Sequence, residues 1–175
     1  MNLADEGFQI LRTDWIQAVR RLTGIWREMP EMEAYMGQKM LFVYNPRAGK
    51  AQIRSNLLDI IDIFVKAGYE VTAYPTQASG DAVKAVRERH SGYDIVACCG
   101  GDGTLDEVVN GMMQCEEKLP IGYIPAGSTN DFANSLKIPK SMIKAADVVV
   151  NGMNYACDIG RFNNESFIYV AAFGI

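Results

Sequence analysis

Gly100-Gly101-Asp102-Gly103-Thr104 stands between an apolar run that ends at Cys99 and a stretch carrying Val108, Val109 and Met112 at helical spacing. Glycine at three of the first four positions of a turn allows positive φ and brings backbone N–H groups close to whatever occupies it. The helix that follows adds partial positive charge at its start. A strand, a glycine turn and a helix in that order form a geometry suited to phosphate oxygens. Thr104 is placed either to cap the helix or to donate its hydroxyl to a phosphate. Asp102 is out of place beside an anion unless a metal or a backbone turn needs it. Water-mediated contact with a nucleotide-bound Mg2+ is one reading; a turn in which Asp102 bonds its own backbone is the other.

The same alternation extends along the chain. A strand at Met40 to Tyr44 leads through Asn45-Pro46-Arg47-Ala48-Gly49-Lys50 to a helix with Ile53, Leu57, Ile60, Ile61 and Phe64 on one face, stopped by Gly68. A strand at Glu70 to Tyr74, a helix near Asp81 to His90, and strands at Asp94 to Cys99 and Ile121 to Pro125 follow. Short apolar runs alternating with amphipathic stretches predict an α/β fold, a mainly parallel sheet with helices on both faces. In such a sheet the turns at the carboxyl ends of the strands line one crevice. The first turn offers Asn45 to a ligand or to the loop itself, and Gly49-Lys50 resembles a weak phosphate loop, although GxxxxGK[ST] is absent. The turn from Ala126 to Asp131 offers the hydroxyls of Ser128 and Thr129 and the amide of Asn130, or serves only to cap a helix.

Residues 39–150 form the predicted α/β domain. In 151–175, Ala156 to Phe162, the pair Asn163-Asn164 and Phe167 to Phe173 read as a hairpin, the start of a β-sandwich domain expected to continue beyond the apolar strand at the end of the chain. Residues 1–38 read as an amphipathic helical extension built on Ile10, Leu11, Trp15, Ala18, Val19, Leu22 and Trp26 and interrupted by Pro30. It packs on its own domain or on a partner chain, or touches a membrane through Trp15 and Trp26 with Arg20, Arg21 and Arg27, or is an extension ahead of a natural start at Met36 or Met40.

The chain of 175 residues carries 22% charged residues and a formal net charge of -4, which excludes a phosphate-backbone partner such as nucleic acid. Any anion must be gripped locally. Cys98, Cys99, Cys115 and Cys157 show no metal-ligand spacing and read as buried thiols in a reducing compartment. No apolar stretch of spanning length and no basic leader are present, so the reading is a cytoplasmic protein that meets a membrane, if at all, only peripherally at its inner face. His90 reads as a solvated helix cap, Asp158 as a strand-end turn, and Met112 and Met113 as core filler or interface.

Taken together the three turns resemble the diacylglycerol kinase catalytic domain, including bacterial diacylglycerol kinases and, more distantly, sphingosine and ceramide kinases. Asn45 to Gly49 is similar to that family's NPxxG turn, Gly100 to Thr104 to its GGDGT loop, Glu107 to Gly111 to the EVxNG that follows, and Pro125 to Ala133 to its PxGTxNDFA segment. The resemblance runs from Met40 to Ile175 and implies a Rossmann-like, ATP-dependent lipid kinase. It places ATP against Asn45, Thr76, Gly100, Gly101, Asp102, Gly103, Thr104, Leu105, Asp106, Ser128, Asn130 and Asp131. Asp102 becomes the residue that orients Mg2+ and ATP, so that Asp102→Ala is expected to remove activity and spare the fold. Ser128 stands where the family usually has Thr, and Asp106 where it usually has Asn. The family's catalytic base is a carboxylate of a C-terminal β domain, so the chain alone is expected to be inactive; a homodimer is left open. GGDG alone is shared with NAD kinases, and an NAD kinase-like enzyme or a non-catalytic nucleotide-binding module are the rival readings.

Overall fold

The computed structural model describes residues 37–162 and 165–168, apart from the side chains of Lys50, Phe162 and Glu165. The amphipathic extension expected over residues 1–38 falls, up to residue 36, outside the described residues.

Four parallel strands form one sheet in the order β2-β1-β3-β4: β1 is Gln38–Tyr44, β2 Tyr69–Pro75, β3 Ile95–Gly100 and β4 Ile121–Pro125. Among the described residues five α-helices accompany it: α1 Ile53–Lys66, α2 Asp81–Arg89, α3 Asp102–Met113, α4 Asp131–Ser135 and α5 Met142–Asn151. Helices cover both faces, as expected. Because side chains alternate along a strand, Met40 and Phe42 of β1 face one layer and Leu41 and Val43 the other. The first layer joins Ile53, Ile60 and Phe64 of α1 to Met142, Ala145 and Ala146 of α5; the second joins Ala82 and Val86 of α2 to Leu105, Val108, Val109 and Met112 of α3. β3 is buried along its whole length, the signature of a central strand covered on both sides.

Gly68 ends α1 as expected, with φ +93 and its N–H bonded to Val65 O at 3.0 Å. Two helices are not legible in the strand-and-turn pattern. α4 occupies the end of a segment that reads as turn, and α5 continues the α/β layer where the composition changes after Lys144. The run Val148-Val149-Val150 is β-branched and favours a strand by propensity. Tertiary packing wins here. Ser141 caps α5 by accepting from Lys144 N at 3.5 Å, and Val149 closes onto Gly122, where a Cβ would stand 2.5 Å from Val149 Cγ1.

A hairpin is present, as β5 (Gly160–Phe162) paired antiparallel with β6 (Glu165–Phe167), which meets the expected second strand, Phe167 to Phe173, only at Phe167. Its connecting pair Asn163-Asn164 and residues 169–175 lie outside the described residues. Among the cysteines, Cys98, Cys99 and Cys115 are buried; Cys157 is exposed, which corrects the expectation of four buried thiols, because residues 153–159 lie outside both core layers.

Two outcomes follow from this packing. Phe42 is fully buried and meets the Phe64 ring edge-on at a centroid distance of 5.4 Å, so Phe42→Ala is expected to lower stability by about 3–5 kcal/mol, read as a drop in the urea midpoint at unchanged slope. Burial pushes the Cys99 thiol up to about 12 from an ordinary value of 9.0. A raised pKa means the folded state holds the proton more tightly, so this contribution is complete below about pH 9 and is lost as pH rises toward 12. Alkylation at pH 8 is expected to label Cys157 on the folded protein and to reach Cys98 and Cys99 only on unfolding, resolved by peptide mass spectrometry.

Candidate functional site

The order of the sheet reverses between β1 and β3, and in an open α/β sheet the crevice at the carboxyl ends of the strands opens at such a point. Three turns meet there and are joined first by main chain. Asn45 N donates to Cys99 O at 2.9 Å, Ala126 N to Gly100 O at 2.7 Å, and Thr76 N to Tyr44 O at 2.9 Å. Two glycines allow the approach. Gly49 has φ +51, and a Cβ there would fall 1.9 Å from Ala126 O; a Cβ on Gly127 would fall 2.7 Å from Gly101 Cα. First turn meets third, and third meets second, backbone to backbone.

The glycine turn itself stays open. Gly101 takes the N-cap position of α3 in an extended conformation and no side chain caps the helix, although Thr104 N and Leu105 N both donate to Gly101 O. Beside Gly103, nothing lies within 4 Å of where a Cβ would stand. A helix start with no side-chain cap, beside a glycine that leaves room around its Cα, is a candidate site for an anion. Leu105 is buried, so only its main chain belongs to this site.

Other expected site residues are engaged within the protein. Thr104 does not cap α3; its methyl and hydroxyl pack against Gly100, and its Oγ1 accepts from Asn45 Nδ2 at 3.5 Å. Asn45 Oδ1 in turn accepts from Arg47 N at 2.9 Å. Asn130, in the left-handed region at φ +53, closes its own loop: Oδ1 accepts from Gly127 N at 2.8 Å and Nδ2 donates to Gly127 O at 2.7 Å. Ser128 is exposed and Thr76 is half-buried.

Asp102 settles neither of the two readings as they stood. Its carboxylate bonds backbone in a different turn, with Oδ2 accepting from Asp131 N at 3.0 Å and Oδ1 from Phe132 N at 3.4 Å. It is the cap of α4, supplied from α3, and there the negative charge is favourable. Asp102 therefore has a local structural part as well, beside the expectation that its replacement removes activity and spares the fold. Asp106 lies one turn further along the same face of α3 and is half-buried. Among the described residues no group of three or more His, Cys, Asp or Glu could cage a metal. Mg2+ characteristically keeps several waters and is held through one or two carboxylates plus phosphate oxygens, so the single carboxylate of Asp102 beside the glycine turn is compatible with that ion carried on a phosphate and not with an all-protein site.

Positions with no role assigned from sequence complete the support. Glu107 accepts from Gly80 N at 2.8 Å, Ala82 N at 3.3 Å and the Ser79 hydroxyl at 3.3 Å, capping α2 and holding the loop that carries Thr76. Gly111 lets α3 meet α2, since a Cβ there would lie 2.7 Å from Val83 O. Tyr123 donates to Gly100 O at 3.2 Å, and burial raises its phenol far enough to keep the proton on. The EVxNG segment marks Glu107 and Gly111 but not Tyr123, and a cap that serves another helix has no local signature. His90 closes α2 as expected, its ring 3.3 Å from Arg87 O, and Asp158 is exposed. Met112 is core and Met113 is 42% exposed.

Comparison with known proteins matches residues 39–162 to the diacylglycerol kinase catalytic domain. The chain is 43% identical over 140 residues to a diacylglycerol kinase of Staphylococcus aureus (strain MRSA252), covering 79% of this chain and 44% of that protein. It is 42% identical over 140 residues to the diacylglycerol kinase of strain Newman, with the same coverage. A crystal structure of a diacylglycerol kinase from Bacillus anthracis str. Sterne superposes with a TM-score of 0.69 at 30% identity, over 74% of this chain and 45% of that one. The chain thus spans less than half the length of these relatives.

Removing the carboxylate of Asp102 orphans two N–H groups at the start of α4. Asp102→Ala is expected to cost about 1–3 kcal/mol in chemical denaturation and to speed amide exchange at Asp131 and Phe132 before any other site.

Proposed function

This chain belongs to the diacylglycerol kinase catalytic domain family, and from that premise we propose that its convergent turns hold the phosphates of ATP for transfer to the hydroxyl of diacylglycerol or a related lipid. The observation that carries the reading is the uncapped start of α3, open beside Gly103 and joined by main-chain contacts to the turns that follow β1 and β4. Phosphoryl transfer needs positioning and charge neutralisation more than covalent participation by the protein, and fixed backbone amides supply both.

In this reading the N–H groups of the glycine turn donate to phosphate oxygens, and the hydroxyl of Ser128 adds a side-chain donor from the third turn. Thr76 approaches from the loop held by Glu107. Asp102 keeps its carboxylate fixed between α3 and α4, where the lone pairs left by its two N–H partners accept from water. Mg2+ bound there would neutralise charge developing on the phosphates. Leu105 contributes main chain only, Asp106 a second acid near the cation, and Asn45 and Asn130 shape their turns.

Among the described residues no helix is long and apolar enough to cross a membrane. The lipid is therefore proposed to be met at the surface of a bilayer, with the protein on its cytoplasmic side. The family's base lies in a C-terminal β domain, so the chain alone is proposed to bind nucleotide without completing transfer.

Two measurements test this. MgATP at one hundred times its Kd is expected to stabilise the chain by about 2.7 kcal/mol in a thermal melt, with most of that lost in EDTA. With labelled ATP and the product of the complete gene, label is expected in diacylglycerol dispersed in mixed micelles and absent from NAD. Label in NAD alone would replace the lipid acceptor, and lipid labelled by the chain alone would refute the division of labour.

A further inference from the structure

The side-chain amide of Asn110, in the middle of α3, pairs with both main-chain groups of a single residue of β6. Its Nδ2 donates to Ser166 O at 2.7 Å and its Oδ1 accepts from Ser166 N at 2.8 Å. The second hydrogen on Nδ2 is directed at Asp106, whose main-chain O lies at 3.0 Å and Oδ2 at 3.3 Å. Only one orientation of the amide satisfies all of these partners, since turning it over would set donor against donor and acceptor against acceptors. Asn110 thus stands beside β6 as a one-residue neighbouring strand.

The hairpin needs such an anchor. It has three register pairs, Gly160↔Phe167, Arg161↔Ser166 and Phe162↔Glu165, and a two-stranded ribbon of that length is marginal in water on its own. Because Ser166 gives its N–H to Asn110, Arg161↔Ser166 is the non-hydrogen-bonded pair, with its main-chain polar groups turned away from β5. Ser166 is buried and Ile168 packs onto the second core layer, so the hairpin is seated on the helix side of the domain. The helix that receives it is the one whose first turn, free of any side-chain cap, begins at the glycine turn, about 12 Å away along the axis at 1.5 Å per residue.

We propose that Asn110 is a positioning residue: it fixes the hairpin to the helix that begins at the phosphate turn, so that occupation of the turn and order in the hairpin are linked. The inference rests on the nucleotide reading above. Linkage of this kind is reciprocal, so a nucleotide that makes opening of the clamp rarer must itself bind more weakly, by the same factor, when the clamp is cut.

Amide hydrogen exchange at Ser166, followed by NMR on this chain with and without MgATP, tests it. Exchange is expected to be slow in the unsubstituted protein and several-fold slower with saturating MgATP. Asn110→Leu, which fills a similar volume without the amide, is expected to speed Ser166 exchange on the order of tenfold or more and to abolish its response to nucleotide. The Kd for MgATP should rise by the factor that nucleotide imposes on exchange in the unsubstituted protein. Asn110→Asp keeps the acceptor for Ser166 N–H and loses the donor, and is expected to fall between the two. A Ser166 amide that ignores MgATP while MgATP slows exchange at the amides of the glycine turn overturns the inference and leaves the proposed function standing. Absence of MgATP binding overturns both. The first comparison needs no variant and remains decisive if a substituted chain does not fold.

Discussion

Helix α3 holds its neighbours by their polar groups while leaving its own first turn free. Asp102 takes two N–H groups of α4, Glu107 takes the start of α2, and Asn110 takes both main-chain groups of Ser166. At the other end of the helix, Lys118 Nζ donates to the carbonyls of Met112, Met113 and Cys115. Each bond satisfies a group that helix or strand geometry would otherwise leave unpaired, and an unpaired buried polar group costs more than a made bond returns. Because Asp102, Glu107 and Asn110 all stand on one rigid element, the loops they hold keep a fixed relation to the glycine turn.

That arrangement resolves an electrostatic tension in an acidic chain. A net charge of -4 opposes an anionic ligand at long range, and Asp102 and Asp106 stand close to where its phosphates would lie. Attraction must then come from short-range dipoles and from a counter-ion. Asp102 serves the first requirement indirectly, because its charge is spent on the start of α4, and under the proposed function it would serve the second, since a carboxylate already held in place loses little freedom on meeting a hydrated cation. The acid in the glycine turn is thereby compatible with phosphate next to it.

Much of the architecture is written in local patterns. The alternation that puts Met40 and Phe42 on one side and Leu41 and Val43 on the other, the glycine stop at Gly68 and the three polar turns all follow from periods and turn chemistry that one chain displays. The convergence of those turns follows from topology. What stayed hidden has a common physical origin, namely interactions between distant segments. The β-branched run in α5 is overruled by packing between α1 and β4, and α4 is short enough to depend on a carboxylate from elsewhere in the chain. Asn45, Thr104 and Asn130 carry groups that suit a ligand, yet the structure uses those groups to shape loops. Glu107 and Asn110 show the converse, since their residue types say nothing until their partners are known.

The central place of β1 has a consequence for how the chain is made. Its partners are β2 on one edge and β3 on the other, and Met40 is in register with both Val71 and Ile95. Emerging from the ribosome, the first strand can join β2 early, but its inner edge stays bare until the third has been synthesised. During that interval Leu41, Phe42 and Val43 stand at an unsatisfied parallel edge, the kind of surface that recruits other chains. Crowding of nascent copies, or a pause in translation between β2 and β3, would therefore be the moment at which this fold is most vulnerable to aggregation.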